Sequence, residues 1–279
     1  MKEISHLWPK YWSEKTLLMG VLNVTPDSFS DGGCYLNQCQ AINHASFLLS
    51  SGASVIDIGG QSTRPGAFEV GAKVELARII PVIKEVRLNF PQSIISVDTF
   101  LSEVAEKAIE AGANWINDIS GGRRDSNIFR VAAKSNKPIV ITHSKGNSQT
   151  MNSLALYDNT INEVIKSLEI RTEKAINSGV CKDNIIWDPG LGFAKETKHN
   201  IYILENLKLL KAKGFPVLLG PSRKRFIGDI LNLNEPKDRL FGTIGVCCLA
   251  TMENIEMLRV HDVKEVNHAI TIINKICKH

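Results

Sequence analysis

Long apolar runs are missing from this 279-residue chain. Nowhere does it approach the roughly 20 consecutive apolar residues that a membrane span needs. Met1 to Lys15, with three lysines and two glutamates, has no apolar segment of the secretory kind. A soluble, unexported, cytoplasmic protein with no membrane partner is expected. CxxC pairs and Cys/His ligand spacings are missing too, so the six cysteines, Cys34, Cys39, Cys181, Cys247, Cys248 and Cys277, read as reduced thiols of a reducing compartment. No dense Lys/Arg block with interleaved aromatics occurs, and the formal net charge of +4 is small and scattered. Nucleic acid is therefore not an expected partner, while an anionic small molecule is mildly favoured. No strand is followed by GxGxxG, and no linker or composition break divides the chain.

What is present begins with Leu17 to Gly33, LLMGVLNVTPDSFSDGG, where an apolar run stops in polar and turn-forming residues. Leu17 to Val21 reads as a buried strand and Asn23 to Gly33 as a loop. The loop offers Asn23, Asp27 and Asp31 as oxygen donors, Thr25 and Ser28 as hydroxyls, and one aromatic, Phe29, which a water-facing loop does not need for its own stability. A binding loop is expected. Further strands are expected at Ser54–Ile58, Ile94–Val97, Trp115–Ile116, Pro138–Thr142, Ile185–Trp187, Val217–Leu219 and Met257–Val260. Helices are expected at Gln38–Ser51, about Val74–Asn89, Leu101–Ala111, Asn127–Ser135, about Tyr157–Ser178, Asn200–Leu210, Asp238–Met252 and Val263–Cys277.

Short strands alternating with helices call for parallel pairing, and eight such units can close into a barrel. A weak internal repeat, Gly52-Ala53-Ser54-Val55-Ile56-Asp57 against Gly112-Ala113-Asn114-Trp115-Ile116-Asn117, supports the count. The expected fold is α/β, a single-domain (β/α)8 TIM barrel over residues 17–279 with 1–16 as an N-terminal extension. A doubly wound open sheet is the rival.

Barrel enzymes carry their chemistry at the carboxyl ends of the strands. Here those ends read Asn23, Asp57, Asp98, Asn117, His143, Asp188, Lys224 and Arg259/His261. Each alone is a common turn or cap residue; together they describe one polar mouth. Asp98, Asn117 and Asp188 suit the donor and acceptor edge of a planar heterocycle, because a carboxylate pairs with an N–C–N fork much as it does with guanidinium, and Lys224 suits that ring's carbonyl. Asn23, Thr63, Arg64, Arg259 and His261 suit phosphate oxygens and a hard cation. The substrate expected is a ring at one end with a charged leaving group at the other.

Asn23 to Gly33 (NVTPDSFSDGG), Ser62 to Ala67 (STRPGA), Ser96 to Thr99 (SVDT), Asn117 to Ile119, Asp188 to Phe193 (DPGLGF), Ser222 to Lys224 (SRK) and Arg259 to Val263 (RVHDV) occur in order. They resemble the dihydropteroate synthases, pterin-binding TIM-barrel enzymes that sulfonamides target. The resemblance implies a transferase of folate biosynthesis that joins 6-hydroxymethyl-7,8-dihydropterin diphosphate to 4-aminobenzoate, with Mg²⁺ as cofactor, and a homodimer through helices late in the barrel, where Thr243 to Met252 is apolar. It implies pterin contacts at Asp98, Asn117, Asp188 and Lys224. Diphosphate contacts are implied at Thr63, Arg64, Arg259 and His261, and a metal ligand at Asn23. Phe29, Thr63, Pro65, Phe193 and Arg225 are implied around the aminobenzoate. Asp31, Arg64, Lys224 and Phe29 are implied to act in catalysis, the first loop and Ser62 to Gly66 being mobile in the family. Departure of diphosphate to leave a pterin-methyl cation, an SN1-like step, is the expected mechanism.

Three departures from the family pattern are visible. Gln61 stands where many relatives have Glu, His143-Ser144-Lys145 replaces a more usual triplet, and Arg225 follows Lys224 where serine is frequent. Rival functions are a pterin-binding methyltransferase barrel, which has no reason to carry STRP, SRK or RVH, a non-catalytic pterin-binding paralogue, and an unrelated phosphate-ester isomerase or aldolase.

Overall fold

Period-two alternation along short parallel strands builds this architecture. The computed structural model describes residues 7–25, 34–62 and 66–277. The strands are β1 (Leu17–Asn23), β2 (Val55–Gly59), β3 (Ile94–Asp98), β4 (Trp115–Asp118), β5 (Ile139–Thr142), β6 (Ile185–Asp188), β7 (Leu218–Leu219) and β8 (Met257–Val260). All pair in parallel in the order β6-β5-β4-β3-β2-β1-β8-β7. The two ends of that order meet where Trp187 bridges Val217 and its amide donates to the Pro216 carbonyl at 2.8 Å, which closes the barrel. The expected TIM barrel is the observed fold, and the open sheet is excluded.

Around it run α1 (Cys34–Ser50), α2 (Gly71–Asn89), α3 (Ser102–Glu110), α4 (Asn127–Ser135), α5 (Thr160–Asn177), α6 (Thr197–Glu205), α7 (Leu207–Lys211), α8 (Arg225–Leu231), α9 (Leu240–Met252) and α10 (Val263–Cys277). Among the described residues no helix is long and apolar enough to cross a membrane. Two expectations are corrected. The helix expected over Asn200–Leu210 is two helices parted at Asn206, whose backbone leaves the helical region. The stretch after Lys224 is helical as α8 and stops at Asn232 in the left-handed conformation that asparagine tolerates (φ 57). A 3-10 turn, Pro236–Arg239, then leads into α9, so that helix starts two residues later than expected.

Outward-facing strand residues such as Ile56, Ile58, Ile95, Val97, Ile139 and Leu258 pack under the helices. Inward residues at the amino ends, Met19, Val55, Ile94, Trp115, Val140, Ile186, Leu218 and Met257, form a separate apolar floor. Trp8 and Trp12 seal that floor from below, their rings 5.3 and 5.5 Å from Trp115. The Trp115 indole N–H donates to the Leu7 carbonyl at 2.5 Å. Two residues further along six of the eight strands the same inward position turns polar: Asp57, Ser96, Asn117, Thr142, Asp188 and Arg259. The floor is dry and the mouth charged because the side-chain period is two.

Candidate active site

Parallel register sets the polar residues side by side: Asp57 beside Ser96, Asp98 beside Asn117, and Thr142 beside Asp188. Fully buried Asp57 is the hub. Its Oδ2 accepts from the Asn117 amide at 3.0 Å and from Arg259 Nε at 2.6 Å, while the other arm of Arg259 donates to Asp98 Oδ2 at 2.7 Å. Arg259 thus presents an N–C–N fork to two carboxylates. Burial alone would lower the proton affinity of Arg259, but the charges of Asp57 and then Asp98 raise it further, so it stays cationic. Burial pushes the Asp98 carboxyl up to about 7, with Arg259 pulling it back down. Asp57 Oδ1, Ser96 Oγ and Thr142 Oγ1 are buried without a hydrogen-bond partner among the described residues.

Asp188 lies across the mouth. Burial raises its carboxyl to about 6 against the Gly190 amide, which donates to Oδ1 at 2.7 Å, and against the charge of Lys224. Burial lowers Lys224 to about 8, offset by attraction to Asp188 and Asp98 and worsened by Arg259. Its ammonium lies 4.3 Å from the centroid of the Phe193 ring. The loop carrying Phe193 needs glycine at 190, where φ is 70° and a Cβ would sit 1.9 Å from the His143 carbonyl oxygen. Lys195, buried behind that loop, donates to Gly190 O at 2.9 Å, Phe193 O at 3.0 Å and His143 Nδ1 at 2.8 Å.

Lys224 is held from its other side. Arg223, left-handed at φ 58°, pairs both guanidinium arms with Asp262 at 3.0 and 2.5 Å, and its amide donates to Thr243 Oγ1 at 3.1 Å. Ser222 Oγ lies 2.9 Å from His261 Nδ1 and accepts from the His261 amide. The loop after β7 and the end of β8 are therefore one bonded unit.

Among the residues singled out in the sequence, the structure gathers Asp98, Asn117, Asp188, Lys224, Arg259, His261 and Phe193 at one end of the barrel. Asn23 ends β1 beside Gly59, half-buried. Arg225 is not brought into the bonded cluster: its side chain is 77% exposed on α8, with Asp229 3.6 Å away. Phe29, Asp31, Thr63, Arg64 and Pro65 lie outside the described residues. Gln61 accepts from the Val70 amide at 3.2 Å and so tethers the start of α2, a duty that needs no charge. Phe193 also walls a cleft with Gln61, Ser62, Phe100, Ile119 and Met151.

Asp57 is expected at the mouth as a strand end, but nothing in the sequence says that it ties Asn117 to Arg259. Lys195 was missed, because its tie to His143 spans 52 residues and leaves no local pattern. No group of three or more His, Cys, Asp or Glu among the described residues could hold a metal. A hard cation here would depend on Asn23 and on oxygens that a ligand brings, which suits Mg²⁺, an ion that binds few protein groups beside phosphates.

Comparison with known proteins agrees with this fold. The family model described as "Pterin binding enzyme" matches residues 19–261. The dihydropteroate synthase of Synechocystis sp. is 47% identical over 255 residues, covering 91% of this chain and 87% of that protein. A solved dihydropteroate synthase of Xanthomonas albilineans with 4-aminobenzoic acid superposes with a TM-score of 0.90 at 37% identity, covering 96% of this chain and 95% of that one. The same enzyme in complex with 7,8-dihydropteroate gives 0.87 at 35% identity, with 96% and 95% covered.

Proposed function

This chain belongs to the pterin binding enzyme family, and on that premise we propose how its site works as a dihydropteroate synthase. The activity transfers the pterinylmethyl group of 6-hydroxymethyl-7,8-dihydropterin diphosphate to the amine of 4-aminobenzoate and releases diphosphate, in folate biosynthesis. The single observation that carries the site assignment is the Arg259 fork across Asp57 and Asp98. A 2-aminopyrimidine edge offers the same N–C–N donors, so the pterin can take the place of the guanidinium on Asp98 with Asn117 beside it. Asp188 and Lys224 then face the far edge of the ring, the ammonium donating to its carbonyl.

Arg259, once released, turns its fork to the diphosphate together with His261, which Ser222 orients. Mg²⁺ held by Asn23 and the diphosphate oxygens would supply neutralising charge for the leaving group. Asn23, at the end of β1, would offer its amide oxygen there. In the transfer, the bond from methylene carbon to diphosphate oxygen breaks with its electron pair leaving on the diphosphate. The ring nitrogens share the resulting cation, and the arylamine nitrogen adds to the carbon and gives up a proton. An SN1-like order suits a mouth that holds carboxylates near the pterin. Phe193 forms one wall for the aminobenzoate ring, and positioning matters more than base strength because the arylamine is neutral at pH 7. Thr63, Arg64, Pro65, Phe29 and Asp31 keep the roles implied by the resemblance, in closing the site over that ring.

The reading extends to a homodimer. Helix α9 buries Thr243, Cys247, Ala250 and Thr251, while Phe241, Gly245, Leu249 and Met252 form a solvent-facing stripe, Phe241 being 82% exposed. A second copy covering that stripe accounts for it. A cytoplasmic home is supported by the free thiols of Cys39, Cys181, Cys247, Cys248 and Cys277. The deciding experiment incubates the pure protein with the pterin diphosphate and 4-aminobenzoate, with and without Mg²⁺. Dihydropteroate should form only with the metal, and formation unaffected by chelation would remove Mg²⁺ from the reading.

A further inference from the structure

Beside the mouth, where the loop after β5 meets α5, a second cleft of about 330 Å³ opens between Arg123, His143, Lys145, Lys166 and Arg171 and shares Lys145 with the cleft that Phe193 walls. Four cations and one carboxylate, Glu163, line it, in a chain whose whole formal net charge is only +4. Glu163 does not balance them. Its Oε2 is 3.3 Å from Lys145, and its Oε1 accepts the amides of Asp158 at 2.8 Å and Asn159 at 3.2 Å. Lys145 is further held by the Leu156 carbonyl at 2.7 Å and by the Tyr157 ring.

The other three cations have no carboxylate within ion-pair distance among the described residues. Arg123 is held by neutral groups, donating to Ser144 Oγ at 2.5 Å and to the Ser120 carbonyl at 3.2 Å, which aims its guanidinium without neutralising it. Asp118, the one acid that both Arg123 and Arg171 sense, is fully buried and committed to the amides of Ser120 and Gly122. Burial and then the charge of Arg171 lower the proton affinity of Arg123, as expected of two guanidiniums facing one space.

His143 adds a donor from the wall. Its side chain is buried (3% exposed), and its Nδ1 lies 2.8 Å from Lys195 Nζ, which also donates to Gly190 O and Phe193 O. With Nδ1 engaged by Lys195, Nε2 is the ring nitrogen left for another partner. A lining of guanidinium, ammonium and imidazole N–H groups around an open space is complementary to an oxyanion, and guanidinium pairs match phosphoryl oxygens in particular. Four cations spread along a cleft of this size fit two linked phosphoryl groups better than one.

We propose that the cleft between the β5 loop and α5 is a second oxyanion site, distinct from Arg259 and His261, that takes a diphosphate group. Free diphosphate and the diphosphate of a nucleotide share that chemistry.

Calorimetric titration of the intact protein with inorganic diphosphate tests it, with ADP as a parallel probe. A binding component is expected that weakens at least about tenfold in Lys166→Ala/Arg171→Ala and survives Arg259→Ala. ADP binding with the same sensitivity would assign the site to nucleotides, and its failure to bind would assign it to free diphosphate. Exposed Lys166→Glu, which leaves the buried packing alone, should weaken the same component. The proposal is overturned if wild type shows no such component, if Lys166→Ala/Arg171→Ala binds as wild type does, or if Arg259→Ala alone abolishes all binding.

Discussion

Burial disfavours the charges of Asp98, Asp188 and Lys224 and brings their titration toward neutrality, so the proposed pterin contacts should depend on pH. In the proposed binding mode Asp98 meets the donor fork of the pterin and Asp188 its far edge as carboxylates, which form as pH rises through about 7 and about 6, while the ring carbonyl takes the ammonium of Lys224, lost through about 8. Pterin affinity measured by calorimetry between pH 5 and 9 should therefore be bell-shaped, and Lys224→Arg should lose the alkaline limb. A flat profile would contradict the assignment. For the unliganded fold the sign is opposite. The stability that Asp98 and Asp188 contribute through their raised values is complete below the ordinary carboxylate range near about 4 and is lost as pH rises through about 6 and 7. Asp188→Asn should weaken pterin binding by about 10- to 100-fold, the loss of a charge-assisted contact. Unchanged affinity in that variant would rule out the recognition role of Asp188.

At the scale of elements, the loop after β6 is constrained from two sides. Gly190 cannot accept a Cβ against the His143 carbonyl, and Lys195 pins the loop from behind. Gly190→Ala should cost about 2 kcal/mol or more and displace Phe193, which would appear as a raised KM for both substrates; a fully active variant would show that the loop is free to shift. The floor is a separate element. Trp8→Ala should destabilise the fold by about 2–3 kcal/mol in urea denaturation, somewhat below a full core cost because Trp8 is partly exposed. KM should not change, because the floor lies at the opposite end of the strands from the mouth.

For the whole molecule, the proposed dimer puts the exposed stripe on α9 at its interface. Phe241→Glu with Met252→Glu should shift the mass measured by sedimentation from two chains to one while leaving the helix folded, since both side chains already face solvent. A wild-type protein of single-chain mass would remove the dimer from the reading. Closure of the barrel between β6 and β7 rests on one bridge at Trp187 and on its bond to Pro216, so the short β7, two residues long, depends on its neighbours.

The amino-acid sequence by itself determined the barrel, because alternating short apolar strands and helices leave few ways to pair in parallel. It also determined the residues at the mouth, since Asp98, Asn117, Asp188, Lys224 and Arg259 sit where strands end, which local pattern reveals. The break at Asn206, helix α8 and the extra turn before α9 escaped it, as boundaries there follow packing and left-handed caps rather than periodicity. Only the tertiary structure decided who bonds to whom. Asp57 became the hub because register and closure bring β2, β4 and β8 around one point. Lys195 became a brace because the end of β5 brings the His143 imidazole, 52 residues away, to an ammonium that already bonds the Gly190 and Phe193 carbonyls of its own loop. Such partnerships depend on distances across the barrel, and linear spacing carries no information about those.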